Sequence, residues 1–244
     1  MNDVIKQLTA HTSVRQFETT PLSNEVKQTL IAAAQSGSSS NFVQAYTFID
    51  VTDLALRQEI ENVMERATHV TQTGAFYVVV ADLYRHAKIV EQAGLPLDSI
   101  ANMDSLIIAI ADATIAAQNM VVAAESMGLG ICYIGGIRND MNRIAELLDL
   151  PPYTVPLFGL TIGVPTQQNE VKPRLPQVQV VAENRYTAAL TDMTAYENTT
   201  REYYATRGNN QQATSWTDKI QTYFGVVHRA DVVDFIRKQG FNLG

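Results

Sequence analysis

Between Ile100 and Met127 the chain carries an apolar stretch that decides most of what can be built around it. Ile107, Ile108, Ile110, Ala111, Ala113, Ile115, Ala116, Ala117, Val121 and Ala123 would put apolar or small groups on almost every side of a helix. A helix that is apolar all round is buried all round. Asp104, Asp112, Gln118, Asn119 and Glu125 interrupt the stretch, which makes it a poor bilayer span, and no membrane partner is expected. In a chain of 244 residues a subunit interface is one simple way to cover the helix's second face.

The rest of the composition fits a folded, water-facing protein. Hydrophobic residues make up 46% and charged residues 18%, enough for a proper core in one large domain or two small ones. The formal net charge of -7 works against nucleic acid as a partner. The single cysteine, Cys132, excludes an internal disulfide and suits a reducing compartment. The N-terminus has neither the basic region nor the apolar run of a signal peptide, so a cytoplasmic location is expected.

Helix and strand signals alternate along the chain. Val4 to Ala10 reads as a short helix. Ser23 caps a second helix, with Val26, Leu30, Ile31 and Ala34 on one face and Gly37 at its end. Tyr46 to Val51 and the apolar run Phe76 to Ala81 read as strands, the second of them buried. Asp53 caps a helix through Leu56, Ile60 and Met64 between them. The long helix ends at Gly128 and Gly130, Ile131 to Ile134 is a strand, and Gly135-Gly136 is a turn. Asn139 caps a helix to about Leu148, and Val155 to Gly163 is a further strand. Beyond it Pro165, Pro173 and Pro176 punctuate an extended segment, followed by helical stretches of roughly 184–207 and 215–239. Helices around a sheet without a regular βαβ rhythm make the fold class α+β, with a core over 1–163 and an extended, helical arm over 164–244.

Five segments carry candidate chemistry. His11 and Arg15, four apart, share one helical face if the first helix runs through them; Arg15 offers the planar donor fork that suits phosphate, and Ser13 adds a hydroxyl. Ser38, Ser39, Ser40 and Asn41 form a loop of hydroxyls, amides and free backbone N–H groups. Tyr133, Ile134, Gly135 and Gly136 let a backbone approach a flat ligand, because glycine lacks a Cβ. Taken alone, each of these is a solvated helix end, a surface loop or a plain turn. Lys172 and Arg174 lie on one side of a segment held extended by Pro173 and Pro176, a stiff cationic clip. Arg207, before Gly208, reads alone as a helix end whose cation complements the dipole.

Together the segments resemble the NADPH–flavin oxidoreductase and major oxygen-insensitive nitroreductase family, over about Ile5 to Gly240. The motifs are His11-x-Ser13-x-Arg15-x-Phe17, Ser38-Ser39-Ser40-x-Phe42-x-Gln44, Gly128-Leu129-Gly130-x-x-Tyr133-Ile134-Gly135-Gly136-x-Arg138-Asn139, Pro156-Leu157-Phe158-Gly159-Leu160, Lys172-Pro173-Arg174-Leu175-Pro176 and Glu202-Tyr203-Tyr204-x-x-Arg207-Gly208. The resemblance implies an α+β sandwich with a central, mostly antiparallel sheet, in an intertwined homodimer whose C-terminal arm embraces the partner. It implies FMN as cofactor, NADPH or NADH as electron donor, and small-molecule acceptors such as nitroaromatics, quinones or free flavin, reached by a ping-pong mechanism. His11, Ser13, Arg15, Lys172 and Arg174 would hold the FMN phosphate and the pyrimidine edge. Ser38, Ser39, Ser40 and Asn41 would line the ring and ribityl chain, and Tyr133, Ile134, Gly135 and Gly136 would supply backbone contacts. Arg207, Arg229 and Phe42 would meet the nucleotide or the substrate. No side chain is expected as a catalytic acid or base, because the flavin carries the hydride, and no metal is expected.

Two departures stand out. Where the family often has Gly-Gly-Gln before His69, this chain reads Glu65-Arg66-Ala67-Thr68. Where the family often has a second arginine beyond Arg207-Gly208, this chain has Gln212. The second difference opens a route to NADH. Two rival readings are a nucleophilic Cys132 working with His69 or His86, and a non-catalytic flavin carrier or sensor on the same fold.

Overall fold

The computed structural model describes residues 1–65, 67 and 69–243; Arg66 and Thr68, part of the departing stretch before His69, lie outside the described residues. These residues fall into two units, one of 1–168 with 229–244 and the other of 169–228.

The first unit is organised by a four-stranded sheet. Its strands are β1 (Tyr46–Asp50), β2 (Ala75–Asp82), β3 (Gly130–Ile134) and β4 (Thr154–Gly163). They lie in the order β1-β2-β4-β3, and every neighbouring pair is antiparallel. The apolar runs of β2 and β4 mark central strands, buried along almost their whole length, so both faces of the sheet must be covered. The pleat sorts the side chains. Tyr77, Val79 and Ala81 face one core with Ile131, Leu160 and Ile162. Phe76, Val78 and Val80 face the other with Cys132 and Ile134. Each large apolar side chain buried there contributes about 1.5–3 kcal/mol.

The α-helices of this unit before residue 169 are α1 (Asp3–Thr9), α2 (Asn24–Gln35), α3 (Leu54–Met64), α4 (Tyr84–Gln92), α5 (Met103–Ser126) and α6 (Met141–Leu147). Leu30 and Ala34 of α2 and Leu106, Ala113 and Met120 of α5 fill the first core; Ile60 of α3 and Ile144 of α6 fill the second. Ser23 caps α2 and Asp53 caps α3, as their positions predict. α6 is capped by Asp140, not by Asn139, whose amide oxygen is taken by Arg229. At the far end of α5 the backbone turns through Gly128, at φ +75, where the N–H groups of Gly128 and Leu129 close the last turn.

The long helix is buried along one side only within this chain. Leu106, Ala109, Ala113, Ala116 and Met120 are sealed in the core, whereas Met103, Ile107, Ile110 and Ile115 are 36–53% exposed. Its length and composition would also allow a bilayer span, but its buried side is the core of the sheet.

In the second unit the expected stretch of roughly 184–207 narrows to α7 (Thr194–Thr206), and α8 (Trp216–Phe224) follows. Ser215 and Asp218 form a reciprocal capping box on α8. Tyr196 of α7 meets Trp216 of α8 edge to face, with ring centroids 5.7 Å apart. The single helix expected over roughly 215–239 is broken after Gly225, and its remainder, α9 (Val232–Lys238), belongs to the first unit. Arg229, at φ +54, marks the break, because a left-handed residue cannot continue an α-helix.

Candidate active site

The site is assembled on β3 and α5. α1 stops at Thr9, so His11 and Arg15 do not share a helical face; the chain from His11 to Phe17 runs without helix beside β3. The N–H of Val14 donates to the carbonyl of Ile131 at 2.8 Å, and Ser13 bridges Ile131. Gly130 permits this approach, since a Cβ there would lie 2.9 Å from Val14 Cβ. Val14 is buried between Ser13 and Arg15, which face the other way. His11 Nδ1 lies 2.5 Å from Glu125 Oε1, near the end of α5, so the carboxylate fixes the ring. The exposed Arg15 makes no ion pair among the described residues. Its charge reaches two buried groups. Burial first, and Arg15 second, hold His69 below the ordinary histidine range. Burial pushes the Cys132 thiol up, and Arg15 opposes that rise.

The serine loop is pinned from beneath. Asp112, buried in α5, accepts from Ser39 Oγ at 2.7 Å, from the Ser40 N–H at 2.9 Å and from the Ala45 N–H at 3.1 Å. Ser39 Oγ in turn accepts from the Gln44 N–H at 2.7 Å, so this hydroxyl has its proton and one lone pair engaged. Asn41, Phe42 and Gln44 all have positive φ, at 46°, 61° and 52°. Each left-handed non-glycine residue costs on the order of 1–2 kcal/mol, and the charge-assisted bonds to Asp112 offset that cost. Ser38, Ser40 and Asn41 stay exposed, and Phe42 projects from the loop at 81% exposure.

The end of β3 and the turn that follows it are closely packed. Tyr133 donates its hydroxyl to Gln118 of α5 at 3.2 Å and meets Phe158 edge to face. Ile134 is buried in the second core. Gly136 is there for packing: a Cβ would lie 3.0 Å from Met64 Cβ. A Cβ on Gly135 would lie 3.3 Å from the Arg138 guanidinium, which itself donates to the Leu157 carbonyl. Arg229 grips Asn139 Oδ1 through Nε and Nη2 at 3.1 and 3.0 Å.

Lys172, Arg174 and Arg207 lie in the second unit. Lys172 and Arg174 border a cleft of about 490 Å³ walled by Tyr196, Tyr203, Tyr204 and Trp216. The Tyr196 hydroxyl donates to the Pro173 carbonyl at 2.9 Å and so anchors the clip between its two cations. Arg207 follows α7 as its C-cap and bonds the Asn210 carbonyl.

Within the first unit, then, the His11–Arg15 segment, the serine loop and the Tyr133–Gly136 segment hang on one helix. Asp112, Gln118 and Glu125, the polar interruptions of the apolar stretch, are its attachment points. Sequence reasoning noticed these residues and assigned them no role at the site. Cys132 sits among Phe76, Val78 and Ile134 with its thiol raised, which suits packing and not nucleophilic attack. His86 is held by the Val43 carbonyl.

Comparison with known proteins points the same way. The model of the nitroreductase family matches residues 8–164, and that of the nitroreductase family C-terminal domain matches 172–244. A protein of Bacillus subtilis named FMN reductase (NADPH) is 38% identical over 247 residues, covering 99% of both chains. A Cr(VI) reductase of a Pseudomonas species is 41% identical over 236 residues, covering 95% of this chain and 96% of the relative. Among solved structures, NfrA1 of B. megaterium superposes with a TM-score of 0.95 at 37% identity, covering 99% of this chain and all of the other.

Proposed function

The chain belongs to the nitroreductase family, and from that premise we propose that it is an FMN-dependent oxidoreductase that takes hydride from NADPH and passes reducing equivalents to small-molecule acceptors. When bound, FMN supplies the hydride-accepting and hydride-donating chemistry, so the chain needs to bind, orient and exclude.

The residues present fit that cofactor. An FMN phosphate carries about two negative charges and must be held by cations and donors inside an acidic protein. The observation that carries the reading is Arg15, exposed, without an ion pair among the described residues, and flanked by Ser13 and by a His11 ring that Glu125 fixes through Nδ1. These three residues hold the phosphate. The loop of Ser38, Ser39, Ser40 and Asn41, kept in a strained shape by Asp112, lines the ring and ribityl chain, with Ser39 contributing backbone because its hydroxyl is engaged. Tyr133 to Gly136 contribute backbone polar groups. Lys172 and Arg174 steady the electron-rich pyrimidine edge, where a cation favours the reduced form. Arg207 contacts the nucleotide, and Phe42 and Arg229 the substrate.

The two substrates use one site in turn, by a ping-pong order. The protein is a cytoplasmic homodimer whose arm is the unit of residues 169–228, the chain beyond it returning to the core. The exposed isoleucines of α5 support the dimer, since a second copy would cover them.

The test is the visible spectrum of the purified protein before and after NADPH is added without oxygen. Flavin bands that bleach are expected. Bands that persist would mark a flavin carrier or sensor, and absence of flavin even after soaking with FMN would remove the roles given to His11, Ser13 and Arg15.

A further inference from the structure

Asp112 grips the serine loop at Ser39 and Ser40 on one side and at Ala45 on the other, and its bonds do not extend to the tip, residues 41–44. The tip is the strained part. Phe42, at φ +61, and Gln44, at φ +52, are left-handed on either side of Val43, which is right-handed at φ -72. A bulky residue at positive φ is rare and persists only where its surroundings enforce it. Phe42 gains nothing from burial in return, since its ring is 81% exposed.

One side chain from outside the loop reaches this tip with a hydrogen bond among the described residues. His86 Nε2, on α4, lies 2.6 Å from the Val43 carbonyl. A carbonyl only accepts, so Nε2 carries the proton and donates it. The other ring nitrogen, Nδ1, is buried with no partner among the described residues, so the Val43 contact is the one polar use made of this side chain there. The donor stands on a fixed base. Arg85, beside it, donates to the Tyr46 carbonyl and the Thr47 hydroxyl of β1, and the Leu83 N–H donates to the Tyr153 carbonyl. The Val43 N–H donates to the Ser40 carbonyl at 2.9 Å, so Val43 is held at both of its backbone polar groups, and its side chain packs on the first core. Phe42 is joined directly to this anchored residue.

We propose that His86 is a positioning residue that fixes Phe42 as an exposed aromatic face on the loop of the candidate site, and so favours flat aromatic acceptors over compact ones. A flat ligand can cover the face of such a ring, and a compact ion cannot. The assignment rests on the reading of the chain as a flavin oxidoreductase; His86 itself touches neither cofactor nor acceptor.

The experiment follows reoxidation of the FMN-loaded protein, reduced beforehand with dithionite, by 1,4-naphthoquinone and by ferricyanide. It uses the parent, His86→Leu, His86→Gln, Phe42→Ala and the double variant of Phe42→Ala with His86→Leu. Loss of one hydrogen bond predicts a roughly fivefold rise in the naphthoquinone concentration needed for half the maximal rate in His86→Leu, with ferricyanide kinetics unchanged. His86→Gln, whose amide N–H can reach the same carbonyl, restores the parent value. In Phe42→Ala the preference for naphthoquinone falls, and adding His86→Leu has no further effect, because the two residues act in series. Amide exchange over residues 40–45 rises in His86→Leu and not in His86→Gln, with or without flavin. Equal losses with both acceptors, failure of His86→Gln to rescue, an undiminished His86→Leu effect in the Phe42→Ala background, or unchanged exchange in His86→Leu would each overturn the proposal. A parent whose bound flavin is not bleached by NADPH removes the functional reading alone, because neither dithionite reduction nor exchange depends on the nucleotide. A parent that takes up no FMN overturns both.

Discussion

His69 shows how one buried side chain can tie stability to pH. Its residue is 6% exposed, and Nε2 has no hydrogen-bond partner among the described residues. Burial, and then the charge of Arg15, hold its pKa below the ordinary value of 6.5, while Glu61 pulls the other way. A base whose folded pKa is depressed binds protons more readily when unfolded. Its contribution is therefore whole above about pH 6.5 and is lost as the pH falls below that value. Urea midpoints measured from about pH 7 down to about pH 5 are expected to fall, and the fall should be shallower in His69→Gln. An identical slope in the variant would assign the acid sensitivity to other groups. At this scale the sequence was readable where a residue's immediate neighbours announced it, as with the caps Ser23 and Asp53. It was not readable where the meaning lay in a distant partner. Glu125 looked like a break in an apolar helix because its partner, His11, is 114 positions away. Asn139 and Asp140 are both able to cap, and only the grip of Arg229 on Asn139 separates them.

The serine loop and α5 act as a unit. Asp112→Ala removes the acceptor for two backbone N–H groups and a hydroxyl, a loss of about 2–4 kcal/mol for bonds to a charged group. It also frees a loop whose left-handed residues have no other restraint of that strength. The expected result is a lower urea midpoint together with loss of FMN on gel filtration. A variant as stable and as flavin-loaded as its parent would show that the loop is held by other means. The central strands β2 and β4 were legible because a strand buried on both faces must be apolar throughout. The end of α1 was legible as well, Val4 to Ala10 against the observed Asp3–Thr9, but what the chain does next was not. The chain leaves the helix there to pair with β3, a long-range contact that no local pattern reveals.

For the molecule as a whole, the open side of α5 carries the consequence. Met103, Ile107, Ile110 and Ile115 present apolar surface where the sequence alone foresaw a helix buried all round. In the proposed dimer, Ile107→Asp with Ile110→Asp buries two unpaired charges at the interface and should yield monomers by light scattering. A dimer that survives both changes would place the interface elsewhere. The order of the sheet carries a different kind of consequence, one of timing. β4 lies between β2 and β3 and is the last of the four strands to be made, so β3 has no strand neighbour and β2 has only β1 until residue 163 has been made. The His11–Arg15 segment, synthesised first, waits for β3 to be fixed in a sheet that closes only after two-thirds of the chain exists. Pairing over such separations is slow to form. Until β4 has been made, the nascent chain therefore leaves one edge of the apolar strand β2 open, the segment a chaperone would be expected to shield.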